Sequence, residues 1–181
     1  FAKSQEVAND SQLVLALANF LSCAKVRRIH ADEAAMVKIT DFDDAYQNGA
    51  YIPDADGFIT RWTEAAASFR AAYPPVTHHY GTGPRQYFDL FIPDGAPKGL
   101  TIFIHGGYWR RFSPREFSHL ARALRDAGQA VALPSYTLAP EVRISQITNE
   151  MMRAVCHAAG LVEGPTRITG HSPGGPLATR L

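Results

Sequence analysis

The stretch Gly99 to Ile104 (Gly-Leu-Thr-Ile-Phe-Ile) is a nearly continuous apolar run that passes directly into His105-Gly106-Gly107. A half-exposed strand alternates apolar and polar residues. This run does not, so both of its faces need cover, as in a strand held within a parallel sheet between two layers of helices. Parallel neighbours cannot be joined by a tight turn, so a helical crossover should follow.

The downstream sequence supplies it. Ser113-Pro114-Arg115-Glu116 combines a capping hydroxyl, a proline at the first helical position and a glutamate that closes a capping box. The helix is predicted to run to Ala127, with Gly128 at the left-handed C-terminal position. Ala130 to Leu133 then reads as a short buried strand ending at Pro134. A second unit repeats the pattern: Ile144, Ile147, Met151, Val155 and Ala158 recur at helical spacing, Gly160 ends them, and Thr166 to Thr169 reads as a strand. Upstream, Thr60 to Ala72 is Ala-rich and stopped by Pro74-Pro75, which predicts a helix, while Gln86 to Pro93 alternates as a strand before the Asp94-Gly95 turn. Strands alternating with helices predict a doubly wound, mostly parallel α/β sheet.

Charge and composition narrow the partners. With 18 Lys and Arg against 17 Asp and Glu, the net charge of +1 gives no bulk attraction for nucleic acid or an anionic membrane. A small molecule is the expected ligand. Cys23 and Cys156 are too few for a disulfide framework or a Cys-rich zinc site, which fits a reducing, cytoplasmic setting. The longest apolar run, Leu13 to Ala24, is shorter than the roughly 20 residues that span a bilayer, and the segment before it mixes Lys3 with Glu6 and Asp10, unlike a basic signal-peptide start. The character of the chain changes near Met36, its first methionine and a candidate start. Residues 1–35 read either as a helical extension or as an upstream stretch translated in frame, and residues 36–181 as the globular domain.

The last strand runs into Gly170-His171-Ser172-Pro173-Gly174-Gly175, a G-x-S-x-G on a strand-to-helix turn. Such a turn is too tight for side chains at its flanking positions and holds the serine hydroxyl out at the end of the sheet. Ser172 is therefore the candidate nucleophile, against the plainer reading of a helix-capping serine. Sixty-seven residues upstream stands His105, and the Gly106 and Gly107 after it follow another buried strand, where backbone amides free of bulky side chains can face a developing oxyanion. His105 itself reads as structural. Tyr108 and Trp109 are either core aromatics or the walls of a substrate pocket.

Taken together, His105-Gly106-Gly107-Tyr108-Trp109, Leu133 to Glu141 (Leu-Pro-Ser-Tyr-Thr-Leu-Ala-Pro-Glu) and Gly170-His171-Ser172 resemble the kynurenine formamidase (arylformamidase) branch of the α/β-hydrolases, over roughly Asp41 to Leu181. The resemblance implies a cofactor-free serine hydrolase acting on an aryl formamide, notably N-formylkynurenine, or on a related small ester. It implies that Ser172 attacks, that Gly106 and Gly107 donate to the oxyanion, and that a histidine assisted by an aspartate is the base. No His-rich spacing suggests a metal.

Two departures accompany the resemblance. In this fold the acid and then the base follow the serine, whereas Leu181 comes nine residues after Ser172, and none of the seven histidines occupies the expected place. The expectation is a hydrolase domain whose C-terminal strands are missing. The second departure is Pro173, which has no N–H at the position that normally completes the oxyanion hole. A general carboxylesterase, or an inactive remnant that binds a small aromatic ligand, stand as alternatives.

Overall fold

A computed structural model describes residues 40–181; the extension expected over residues 1–35 lies outside them. The described residues divide into two units, one ending at Asn48 and the other Gly49–Leu181. In the first, the short helix α1 (Phe42–Tyr46) is capped by Asp41, whose carboxylate accepts from the Asp44 amide at 3.0 Å.

The second unit holds α2 (Ala55–Ala72), β1 (Val76–His79), β2 (Tyr87–Phe91), β3 (Leu100–Ile104), α3 (Pro114–Phe117), α4 (Ala121–Asp126), β4 (Ala130–Pro134), α5 (Ile144–Ala159), β5 (Thr166–Gly170) and α6 (Gly174–Ala178). The five strands form one sheet in the order β1-β2-β4-β3-β5. The pairings β4-β3 and β3-β5 are parallel, while β1-β2 and β2-β4 are antiparallel. The parallel character expected of the sheet is thus confined to the three strands around β3. The link from β1 to β2 is too short for a crossover, so that pair must turn back on itself. β1 itself escapes the periodicity reading because Val-Thr-His-His is short, polar and largely exposed.

Strand alternation divides the core into two layers. Leu100, Ile102 and Ile104 of β3 and Ala130 and Ala132 of β4 face Ile147, Met151 and Ala154 of α5 and Leu177 of α6. Val131 and Leu133 of β4 face Phe69 of α2, Phe117 and Ala121, with Phe103 of β3 joining from the same side. Both faces of β3 are covered, as its apolar run requires.

The capping box at Ser113 forms: the Ser113 hydroxyl accepts from the Arg115 amide at 3.2 Å, and Glu116 accepts from the Ser113 amide at 2.8 Å. The helix it starts is not continuous to Ala127. Phe117 leaves helical geometry (φ −114°, ψ 2°), and residues Ser118–Leu120 form a 3-10 turn before α4. The cause is local. The Ser118 hydroxyl donates to the Pro114 carbonyl at 2.9 Å, the back-bonding that bends helices. Gly128 closes the segment at φ 85°, as expected.

This topology places a crevice. The helices after β3 lie on the Phe117 side of the sheet and the helix after β5 on the Ile102 side. Neighbouring parallel strands whose connections leave in opposite directions part at their carboxyl ends, where ligands of open α/β sheets bind. Ile104 and Gly170 are register partners at those ends.

Candidate active site

From the register pair Ile104 and Gly170 the two chains diverge, each into one of the motifs singled out in the sequence. On the β5 side the His171 amide donates to the Ile104 carbonyl at 3.0 Å, so sheet pairing continues one residue past the strand. Ser172 then takes φ 52°, a left-handed conformation uncommon outside glycine. The turn closes through Gly174 and Gly175, whose amides donate to the carbonyls of His171 and Ser172 at 2.9 Å each. A β-carbon on Gly170 would stand 2.1 Å from the Gly174 carbonyl oxygen, and one on Gly174 would stand 2.1 Å from that of Ile104. Both glycines are obligatory for backbone contact, and the serine they frame is exposed.

On the β3 side Gly106 comes directly to the serine. A β-carbon on Gly106 would lie 3.1 Å from Ser172 Cβ and 2.8 Å from His171 Nδ1. Gly107 follows at φ 111°, then Tyr108 and Trp109 at φ 56° and 58°, and Phe112 at φ 73°. The run turns over itself, with the Arg110 and Arg111 amides donating to the Gly107 carbonyl at 2.9 and 3.0 Å. The glycine loop that begins at His105 and the turn at Ser172, 67 residues further on in sequence, meet here.

His105 lies behind this loop, 1% exposed, its ring between those of Tyr136 (centroids 4.4 Å apart, 8° between planes) and Phe117 (6.0 Å, 10°). Burial pushes its pKa down to about 4. A neutral imidazole beside a carbonyl must be the donor, so Nδ1–H donates to the Gly106 carbonyl at 2.8 Å, and Nε2 is left buried without a partner. The Tyr136 hydroxyl donates to the His105 carbonyl at 3.1 Å.

The two candidate pocket residues part company. Trp109 is half-buried and lines a cavity of about 300 Å³ with Ile144, Ser145, Pro176, Leu177 and Arg180. Tyr108 is 51% exposed and is not among that cavity's lining residues. Pro173 takes the N-cap position of α6 at φ −60°, a geometry that its ring favours.

The other described histidines pack against aromatic rings or lie in turns. His78 stacks on Phe88 and His157 meets the same ring edge-on, His79 lies by Tyr87, and His119 is in the 3-10 turn. His171, next to the serine in sequence, packs by Gly106 and Phe117, and burial lowers its pKa. His30 lies outside the described residues. Among the described residues no three His, Cys, Asp or Glu side chains group as metal ligands, and no helix is long and apolar enough to cross a membrane.

Three supports of the site have no counterpart in the sequence reading. Arg85, Tyr136 and Glu150 bind the loop Ser135–Pro140 to its surroundings, Glu150 by accepting from the Thr137 amide at 2.8 Å and from Gln86 Nε2 at 2.9 Å. The one signal available was the Leu133 to Glu141 segment, which contains Tyr136.

Comparison with known proteins follows the same lines. A solved structure from Silicibacter sp. tm1040, provisionally described as a thioesterase, is 48% identical, with a TM-score of 0.72 over 76% of this chain and 53% of its own. Pyrobaculum calidifontis esterase, at 24% identity and a TM-score of 0.53, shares the fold. The chain has the α/β-hydrolase fold. The chain is also similar to kynurenine formamidase of Salmo salar, 30% identical over 111 residues, which cover 56% of this chain and 36% of that protein. The chain therefore spans about a third of the length of the curated relatives it matches. No family model matches it.

Proposed function

We propose that this chain carries the nucleophile and the oxyanion loop of a serine hydrolase, with Ser172 as nucleophile and the amides of Gly106 and Gly107 as oxyanion donors. The observation that carries the reading is the approach of Gly106 to Ser172, with 3.1 Å between Ser172 Cβ and the place a Gly106 β-carbon would take. Only a residue without a side chain lets a backbone amide stand so near a nucleophile.

The preferred substrate class is an aryl formamide such as N-formylkynurenine. Ser172 Oγ adds to the formyl carbon, its proton passes to the base, and the carbonyl oxygen becomes an oxyanion facing the glycine amides. Collapse breaks the C–N bond, and the amine leaves with the proton. Water then hydrolyses the formyl ester to formate and returns the serine. A histidine assisted by an aspartate is the expected base, and in the α/β-hydrolase order both follow the nucleophile, so the reading requires them C-terminal to Ser172. Trp109, on the wall of the cavity beside α6, suits an aromatic leaving group. The chemistry needs no cofactor, and the low cysteine content and balanced charge support a cytoplasmic setting and a small-molecule partner rather than nucleic acid.

Two alternatives rest on specific observations. The Trp109 cavity is lined mainly by apolar side chains and would accept an ester as readily as a formamide, so a general carboxylesterase is the nearest rival. Pro173 favours a module that binds an aromatic ligand without turning it over.

The deciding experiment treats the protein expressed from its complete reading frame with a fluorophosphonate and locates the adduct by mass spectrometry. Labelling on Ser172, lost in Ser172→Ala, with faster turnover of N-formylkynurenine than of phenyl acetate supports the formamidase reading. The reverse substrate order supports the esterase, and undiminished activity in Ser172→Ala refutes both.

A further inference from the structure

Arg85 lies in the loop between β1 and β2, distant in sequence from both catalytic motifs, yet its guanidinium reaches behind the oxyanion loop. Its Nε donates to the Tyr136 carbonyl at 2.8 Å and its Nη2 to the Phe112 carbonyl at 2.5 Å. The ion pairs of the described residues involve Arg61, Arg70 and Arg125, and Arg85 instead meets carbonyl oxygens from two different loops. A planar fork is suited to this, since it fixes the separation and direction of two acceptors at once.

Each acceptor leads to the site. Phe112 ends the oxyanion loop at φ 73°, and its Cδ2 would stand 2.7 Å from a β-carbon on Gly107, so its ring packs against the Gly107 backbone. Tyr136 stacks on His105 at 4.4 Å and donates to its carbonyl, while His105 holds the Gly106 carbonyl. A further cross-tie joins the same loops, from the Ala139 amide to the Trp109 carbonyl at 2.8 Å. Tyr108, Trp109 and Phe112 all sit in left-handed conformations, which persist only where the surroundings over-determine them. Arg85 binds the end of this loop and the loop behind it together.

We propose that Arg85 is a positioning residue for the oxyanion hole, setting the Gly106 and Gly107 amides by clamping the Phe112 and Tyr136 carbonyls. The inference rests on the serine hydrolase reading for its effect on rate, but not for the clamp itself.

The test compares wild type, Arg85→Met, Arg85→Lys and Ser172→Ala in the protein from its complete reading frame. Kinetics on phenyl acetate and inhibition by an aryl trifluoromethyl ketone are measured beside hydrogen exchange of residues 107–112. Arg85→Met should lower kcat about 10- to 100-fold, the scale of a small misplacement at a reacting centre, with KM changed less than about 2-fold. Affinity for the ketone, whose adduct carries the oxyanion, should fall in step with kcat, and Arg85→Lys should recover part of both. The Arg110 and Arg111 amides should lose protection in Arg85→Met and keep it in Ser172→Ala. If Arg85→Met does not fold, Arg85→Lys is judged by the same ratio of ketone affinity to KM. Unchanged kcat with unchanged protection would overturn the proposal, as would equal loss of ketone and substrate binding. Activity surviving in Ser172→Ala would sink the hydrolase reading and leave the exchange result to decide the clamp.

Discussion

The Nδ1–H of His105 donates to the carbonyl of Gly106 at 2.8 Å, and in a trans peptide that carbonyl points opposite to the next amide, that of Gly107. Anchoring one end of the peptide plane orients the other. His105 thus holds this peptide plane from a stack between Phe117 and Tyr136.

His105→Phe keeps an aromatic ring in that stack and removes the donor. Turnover is expected to fall about 10-fold or more as the Gly107 amide loses its orientation. The same substitution carries a pH signature. Burial lowers the His105 pKa from 6.5 to about 4, so between those values the unfolded chain binds the extra proton and the folded chain does not. Stability from this group is complete above about pH 6.5, declines as pH falls, and is fully lost below about pH 4, a difference of about 3 kcal/mol. Urea unfolding at pH 7.5, 5.5 and 4.5 should show wild type losing stability relative to His105→Phe by that order. Parallel curves for the two proteins would mean that His105 is not held neutral.

Gly106 and Gly174 differ in what an added methyl would meet, and so in how substitution fails. At Gly106 the nearest atom is a His171 ring nitrogen that can swing away, followed by the His171 carbonyl at 2.9 Å. Gly106→Ala should remain folded, shift the elbow slightly, and slow fluorophosphonate labelling of Ser172 about 10-fold or more. At Gly174 the obstacle is the Ile104 carbonyl at 2.1 Å, part of the buried strand β3. Gly174→Ala should cost more than about 4 kcal/mol and abolish soluble folded protein. Circular dichroism of the soluble fraction separates the two outcomes, and a folded Gly174→Ala would show that the elbow is looser than its contacts imply.

What could be read from the sequence follows from what is local. The capping box at Ser113, the apolar β3 and the glycines of the elbow depend on neighbours within a few residues, and all three appear as expected. β1 was hidden because an edge strand that packs little has no periodicity to impose on its residues. The break at Phe117 was hidden by a hydroxyl that could equally have faced solvent. Arg85 and Glu150 were invisible for a stronger reason. Apart from the Gln86 side chain that also meets Glu150, their partners are backbone atoms of Phe112, Tyr136 and Thr137, and a carbonyl or amide has no residue identity for a sequence to display.

Asp89 of β2 is 1% exposed and accepts from Arg70 Nη1 and from the Thr77 hydroxyl, both at 2.6 Å. It ties α2 and β1 to the sheet. Asp89→Asn should lower unfolding stability by about 3 kcal/mol, because the half-buried Arg70 guanidinium loses its counter-charge. The double variant Asp89→Leu with Arg70→Met removes both charges and should recover more than half of that loss. Equal destabilisation in the single and double variants would show that the hydrogen bonds, not the unpaired charge, dominate.

Pro173 is the position at which the hydrolase reading is most exposed to test. The residue after the nucleophile ordinarily gives its amide to the oxyanion, and proline has none. Its backbone sits at φ −60° and ψ −18° at the start of α6, where alanine fits equally well. Pro173→Ala would therefore restore a donor while raising the entropy of the unfolded chain, a cost of about 1 kcal/mol. Removing one such donor typically slows turnover about 100- to 1000-fold, so restoring it should raise kcat by at least about 10-fold. The gain should appear in kcat and not in KM, because the donor acts on charge that exists only in the transition state. Measured in the protein from its complete reading frame, an increase confined to kcat would mean that Gly106 and Gly107 already form a working hole lacking one amide. An unchanged rate, with Ser172 still labelled by fluorophosphonate, would mean that the Gly106-Gly107 loop alone stabilises the oxyanion.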